Sequence, residues 1–202
     1  MSVTDLLNAA FSIGMAADEE VHKRWITVMH RLAGEGGLTL LGSLSSDSRL
    51  DLLLRVMEAE VLEKVQSGGS QEVDLSFDIL FSLSECWVLR VYEGVRAAWE
   101  RMGRPAEGHD KMRALYHRLG LARMPIAKGE IQQARKAKEP IILAHMDGSN
   151  AAPYEANGSY IVPRLICPEI GAAMWVVVDV TTSGAVTICR RDLSDEFLSL
   201  FD

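Results

Sequence analysis

The fold is decided by residues 72–103, which read EVDLSFDILFSLSECWVLRVYEGVRAAWERMG. At about 100° per residue, the polar side chains of this stretch recur every three or four positions and share one narrow arc of a helix. Together with one leucine, this arc comprises Asp74, Asp78, Ser82, Glu85, Leu89, Glu93, Arg96 and Glu100. The rest of the circumference is apolar and too wide for one neighbour to cover. The pattern predicts a long central helix with at least two other elements packed against it.

The beginning of this stretch also fits a strand. Residues 73–83 alternate between apolar and mostly polar side chains, as a half-buried strand does. We prefer the helix because the polar arc continues well beyond the alternating residues. The choice between helix and strand stays open for residues 72–83.

Apolar positions at helical spacing predict further helices before the central one. A first helix has N-cap candidates at Thr4 and Asp5. A second carries its apolar face over residues 21–32 and ends near Gly34. Residues 45–48, which read SSDS, are predicted to cap a third helix over residues 50–65.

After the central helix, the pattern predicts a short helix and then a basic one. The short helix spans residues 109–119, with Gly120 as its C-cap. Pro125 is expected to open the basic helical stretch, and Pro140 to close the helical part of the chain.

The C-terminal residues have the composition of strands. Residues 147–158 are rich in Asp, Gly, Ser, Asn and Pro and predict a loop. Strands are expected at residues 160–166, 175–180 and 185–189, the last two as a hairpin, followed by a short helix capped by Asp192 or Ser194.

The fold class that follows is mainly α. We expect a helical bundle around one long central helix at about residues 72–103, with a small C-terminal α+β unit. The predicted domains are the bundle at 1–146, a boundary loop at 147–158, and a hairpin with its short helix at 159–202, docked on the bundle.

Composition narrows the class of protein. The 202 residues carry a net charge of -7, which argues against a protein that holds a duplex backbone through a broad basic face. Three widely spaced cysteines in apolar runs suggest a reducing compartment. With no signal-peptide pattern and no long apolar run, we expect a cytoplasmic protein without a membrane partner.

Arg90 is the most unusual single residue, because it falls inside the apolar arc of the central helix. A guanidinium there must be paired, since its desolvation costs several kcal/mol. Arg90 is therefore a candidate for a buried anion or ion-pair site, with a purely structural pairing as the simpler interpretation.

Two stretches carry an arginine followed by a histidine after four to six residues: Arg24 with His30, and Arg104 with His109. This spacing resembles that of the HEPN class of helical-bundle ribonucleases. The resemblance implies metal-independent RNA cleavage by a dimer, with the histidine as acid or base and the arginine stabilising phosphate charge. The Arg104 pair is the better placed, although residues 105–108 lack the polar residue that usually follows the arginine.

Other candidates are weaker. Glu19 and His22 have the spacing of a di-iron helix, but the chain offers no second copy, so we expect no metal and no cofactor. A basic contact face is indicated at Lys128, Arg135, Lys136 and Lys138, although a solvated helix face is the simpler interpretation.

The leading functional hypothesis is a cytoplasmic, non-enzymatic protein that binds a protein partner or itself and acts in regulation. It rests on the absence of a catalytic pattern and on the surfaces that the long helix and the hairpin edge offer. The alternative is a HEPN-type RNA endonuclease that uses Arg104 and His109. RNA is a partner under this alternative alone.

Overall fold

The centre of the protein is helix α4, Ser76–Arg101, as a computed structural model of the chain shows. The structure describes residues 2–68, 74–102, 108–143, 152–155, 158–182 and 184–202. The other α-helices are α1 Val3–Ala17, α2 Glu19–Gly36, α3 Thr39–Gln66, α5 His109–Lys128 and α6 Arg190–Leu198. The strands are β1 Ile142–Leu143, β2 Ala152–Pro153, β3 Arg164–Ile166, β4 Ala173–Asp179 and β5 Gly184–Cys189. The predicted mainly α bundle with a C-terminal α+β unit is confirmed.

Helix α4 is surrounded as its apolar width requires. It packs against α2, α3 and α5, and its buried residues include Trp87, Val91 and Val95. Asp78, Ser82, Glu93 and Glu100, which belong to the polar arc, are exposed. The open choice is settled for residues 76–83, which are helical, whereas residues 72, 73 and 103 lie outside the described part.

Helix α3 begins earlier than predicted, so the serine group lies inside the helix and does not cap it. Serine hydroxyls here bond to carbonyls three or four residues back: Ser43 Oγ lies 3.0 Å from Leu40 O, and Ser48 Oγ lies 2.9 Å from Ser45 O. This side-chain bonding satisfies the hydroxyls without interrupting the helix. The predicted helix start at residue 50 was therefore about three turns too late, at about 3.6 residues per turn.

Helix α5 runs through two residues that were expected to bound helices. Gly120 is buried inside the helix, where an added Cβ would lie 2.5 Å from Gln132 Nε2. Pro125 lies in the last turns, and the helix ends at Gly129, whose φ of 64° is left-handed. The basic stretch beyond it is not a regular helix but holds one short 3-10 helix, Ala134–Lys136. Gly120 therefore allows close contact with the following segment, which a sequence pattern cannot distinguish from a C-cap.

The C-terminal sheet is antiparallel in the order β3-β4-β5. The expected hairpin is β4-β5, which pairs Met174 with Cys189 at one end and Asp179 with Gly184 at the other. The first predicted strand shortens to β3, and the short ladder β1-β2 was not predicted. Residues 147–151, 156 and 157 of the predicted boundary loop lie outside the described part.

The inner face of the sheet joins the core of the bundle. Along β4, Ala173, Trp175, Val177 and Asp179 are buried, and the residues between them are only partly buried. One continuous core cluster contains Trp175 and Ile188 of the sheet together with Trp25 and Trp87 of the bundle. None of the described helices is long and apolar enough to cross a membrane.

Candidate functional site

A buried ionic network fixes the C-terminal unit to α3. The Arg190 side chain is fully buried; its Nε donates to Glu58 Oε1 at 2.6 Å, and its Nη1 pairs with Asp51. Arg191 also pairs with Glu58, and Arg55 bonds to Asp51 at 2.9 Å and to Asp195. Three cations thus balance three carboxylates, so the network has no spare charge for a ligand and acts as a structural link.

Asp51 is the centre of this network. Asp51 Oδ2 accepts a hydrogen bond from the Trp25 indole N–H at 2.8 Å. Burial alone would raise the pKa of Asp51, but Arg190 and Arg55 outweigh burial and hold it at about 2. The carboxylate therefore stays charged in the folded protein at neutral pH.

The outer face of the sheet carries a different feature, an apolar cleft of about 850 Å³. Its floor is the outward face of β4 at Val176 and Val178, continued by Val180. Its walls are the segments 137–143 and 159–163. The volume falls within the usual range of ligand pockets, about 300–1,000 Å³.

The cleft opens where the pairing of β4 is incomplete. Strand β5 pairs with β4 from Met174 to Asp179, whereas β3 pairs with it only from Ala173 to Trp175. The Val176 N–H still donates to Pro163 O at 3.1 Å, so this residue directs its hydrogen-bonding groups toward the β3 side. Because these groups alternate along a strand, Val178 faces the same side. Within the described ranges, neither its N–H nor its C=O has a partner there.

Tyr160 anchors the segment that precedes β3 and diverges from β4. Its hydroxyl donates to Val176 O at 2.7 Å, and its N–H donates to Gly129 O at 2.6 Å. Burial raises the pKa of this hydroxyl, so it remains a donor at physiological pH. The segment that borders the gap beside Val178 is therefore anchored at Tyr160 to both Val176 and Gly129.

The walls of the cleft expose large aliphatic side chains. Ile161 is 90% exposed and Ile142 is 57% exposed. Ile142 lies in β1. The carbonyl of the preceding residue, Ile141, accepts a hydrogen bond from Tyr154 N–H at 2.7 Å. Exposed aliphatic groups beside an open strand edge are typical of a surface that another chain covers.

The predicted basic face adjoins one wall of this cleft. Lys136 and Lys138 are exposed and lie directly before and after Ala137, which lines the cleft. Lys128 precedes Gly129, which is bonded to Tyr160 of the other wall. Arg135 is also exposed, in the 3-10 helix. The basic residues thus lie next to an apolar cleft, a relation that the sequence did not indicate.

Arg90 does not lie in the apolar interior. Its side chain is 43% exposed and pairs through Nε with Asp47, whose side chain is 1% exposed. Burial raises the pKa of Asp47 against the opposing effect of Arg90, and the hydrogen bond to Asp47 raises the pKa of Arg90. A carboxylate of the same chain thus neutralises Arg90, as the simpler structural interpretation expects, and its guanidinium reaches solvent at the rim of the helix.

Of the two arginine–histidine pairs, only Arg24 with His30 lies wholly within the described residues. Arg104 lies outside the described part. His109 begins α5, with its ring 6.2 Å from that of Trp99 between centroids. In the other pair, Arg24 bonds to Asp202 at 2.9 Å, and His30 is exposed. No contact in the described part favours RNA cleavage.

One polar pair was missed by the sequence argument. His117 Nε2 on α5 lies 3.1 Å from Asp179 Oδ2 at the end of β4. Asp179 Oδ1 accepts from the Thr181 N–H at 2.8 Å; burial would raise its pKa, but the bonds from Thr181 and His117 lower it. The pair ties the hairpin turn to α5, and its 62-residue separation leaves no local sequence signal.

Metal chemistry finds no support in the part of the chain that is described, because it contains no group of three or more His, Cys, Asp or Glu side chains that could hold an ion. Glu19 of the di-iron spacing pairs instead with Lys23 at 2.8 Å. The chain matches no protein-family model, no curated protein and no solved structure. The cleft beside β4 is therefore the candidate site on its geometry alone.

Proposed function

We propose that this protein is a non-enzymatic interaction protein that binds an extended segment of a partner polypeptide in the cleft beside β4. The observation that carries the proposal is the open side of β4 at Val178, which adjoins the apolar floor of the cleft. An added strand gains main-chain hydrogen bonds from such an edge and specificity from pockets for alternate side chains.

This proposal specifies the surface on which strand addition is expected, because the sequence argument named the edge of the hairpin without choosing a strand. The alternative is the outer edge of β5, where Ala185 and Thr187 direct their backbone groups away from β4. The open side of β4 adds an apolar floor and exposed aliphatic walls to the free backbone groups. We retain the cytoplasmic placement, which is supported by the three free thiols of Cys86, Cys167 and Cys189.

The test is an affinity selection from random peptides displayed on phage, with the full chain as bait. We expect enriched peptides with a short apolar core of strand-forming residues. Val178→Pro removes the N–H that faces the cleft without removing a β4-β5 hydrogen bond, so it should weaken binding about 2- to 13-fold, as expected for one lost hydrogen bond.

Thr187→Pro is the matched control, since it removes an outward N–H from the β5 edge. A second variant, Ile161→Lys, changes a cleft residue that is 90% exposed and should weaken binding with no loss of folding stability. If the peptides bind the Val178→Pro and Ile161→Lys variants normally but no longer bind the Thr187→Pro variant, the binding site is the edge of β5. Failure to enrich any peptide that depends on these residues would reject the cleft as a peptide site.

A further inference from the structure

We infer that the partner segment is acidic where it leaves the cleft beside residues 135–138. This inference rests on the proposed function and names the chemistry of its partner. It depends on the charges that the structure places at the wall formed by residues 137–143.

The lysines divide into two groups by their contacts. Of the six in the chain, Lys23 and Lys64 form ion pairs with Glu19 and Asp74, and Lys111 donates to two backbone carbonyls. The other three are Lys128, Lys136 and Lys138, which have no carboxylate partner among the described residues. All three adjoin segments that line the cleft. The described lysines without a carboxylate partner are therefore those that neighbour cleft-forming segments in the chain.

The local charge is opposite in sign to that of the whole protein. Between Lys128 and Glu139 there are four basic residues and two acidic ones, Glu130 and Glu139, which gives a local charge of +2 within a chain of net charge -7. Glu139 itself lines the cleft, whereas Lys136 and Lys138 are exposed on either side of the lining residue Ala137. The basic side chains therefore belong to the rim of the cleft and not to its lining. An apolar floor with a basic rim matches a segment that has apolar residues at its centre and carboxylates beside them.

The effect on affinity is moderate, because exposed ion pairs contribute about 0.2–1 kcal/mol each. Two such pairs correspond to a gain of about 2- to 30-fold in affinity at low salt. Screening reduces this gain as the ionic strength rises, because the Debye length falls to about 3 Å at 1 M salt. The salt dependence therefore separates charge recognition from apolar contact.

The experiment uses one peptide core obtained in the selection above, synthesised with two glutamates, two glutamines or two lysines beside it. Fluorescence anisotropy measures the Kd of each peptide for the full chain at low and high salt. We expect the glutamate peptide to bind about 2- to 30-fold more tightly than the glutamine peptide at low salt, and the lysine peptide more weakly. The Lys136→Gln, Lys138→Gln double variant should remove this difference, whereas Lys23→Gln should keep it.

Three results overturn the inference in different ways. If the core binds and responds to Val178→Pro but the charge of its flanks has no effect, the cleft stands as a peptide site and the acidic partner is wrong. If no core depends on the cleft residues, the proposed function and the inference fall together. A glutamate preference that persists in the double variant would place the acidic contact elsewhere on the molecule.

Discussion

Asp51 and Arg190 show how single residues decide the stability of this fold. Asp51 is fully buried and makes contacts with Trp25, Arg55 and Arg190. The sequence directed attention to Arg90, but among the described arginines the buried one is Arg190. The difference arises because Arg190 finds its carboxylates on α3, 132 and 139 residues earlier in the chain. A helical projection contains no information about such partners.

At the scale of single residues, we expect Asp51→Asn to lower the free energy of unfolding by about 3–5 kcal/mol. The substitution leaves three arginines with only two carboxylates, Glu58 and Asp195, so one positive charge of the buried network loses its counter-charge. Urea denaturation measures the change. Asp195→Asn is the control, because Asp195 contacts the same Arg55 but is 53% exposed, and it should cost less than about 1 kcal/mol. Equal losses for the two variants would contradict the central role assigned to Asp51.

The same residue predicts a pH dependence. The folded pKa of Asp51 is about 2, below the value of about 3.9 for an unfolded aspartate, so its stabilising contribution is present above pH 4. That contribution is lost as the pH falls from about 4 toward 2. The difference in unfolding free energy between the wild type and Asp51→Asn should therefore narrow over this range by about 2–3 kcal/mol. A difference that is constant between pH 5 and pH 2 would refute the assignment.

At the scale of elements, the turn between β3 and β4 is held against α3 at one glycine. Gly171 has a φ of 71°, and an added Cβ would lie 2.0 Å from Glu58 O. The residue is thus required both for its left-handed backbone and for the close approach of the turn to the helix. It places the sheet against the same helix that carries the ionic network.

Gly171→Ala should therefore lower the free energy of unfolding by more than about 2 kcal/mol, since it combines an unfavourable φ with a steric clash. Chemical denaturation provides the measurement. The matched control is Gly184→Ala in β5, where an added Cβ meets nothing closer than 3.9 Å. This change should be close to neutral. A neutral Gly171→Ala would show that the turn moves away from α3 without cost.

Elements were predicted best where their own residues set their boundaries. The β4-β5 hairpin follows from two apolar runs separated by a polar turn, and α4 from its periodic polar arc. The start of α3 and the course of α5 were predicted less well, because Ser48 and Gly120 each have a local pattern that also fits a helix boundary. In the structure, contacts within the helix or with a later segment override that pattern.

At the scale of the whole molecule, the sheet and the bundle share one hydrophobic core. Trp175 and Ile188 lie in the same cluster as Trp25 and Trp87, and Phe197 of α6 packs on Trp25 at 4.7 Å between ring centroids. The ionic network between α3 and α6 adds a second link between the two parts. The two parts therefore differ from independent domains, which are joined by a linker that few contacts cross.

We therefore expect the sheet and the bundle to unfold together. Far-UV circular dichroism reports mainly on the helices, and a variant that keeps Trp175 as its sole tryptophan would report on the sheet by fluorescence. The two urea transitions should coincide in that variant, as they do for one cooperative unit. A first transition seen only by Trp175 would show that the C-terminal unit opens separately.

The sequence by itself determined the local structure: the central helix with its wide apolar surface, the hairpin, and the presence of a basic segment at residues 128–138. These follow from periodicity and turn chemistry, which act over a few residues. Only the tertiary structure decided that Arg190 is buried, that β4 is open at Val178, and that the basic segment adjoins an apolar cleft. Each of these depends on segments far apart in the chain that meet in space, and the energy of such contacts is not encoded in any one stretch of sequence.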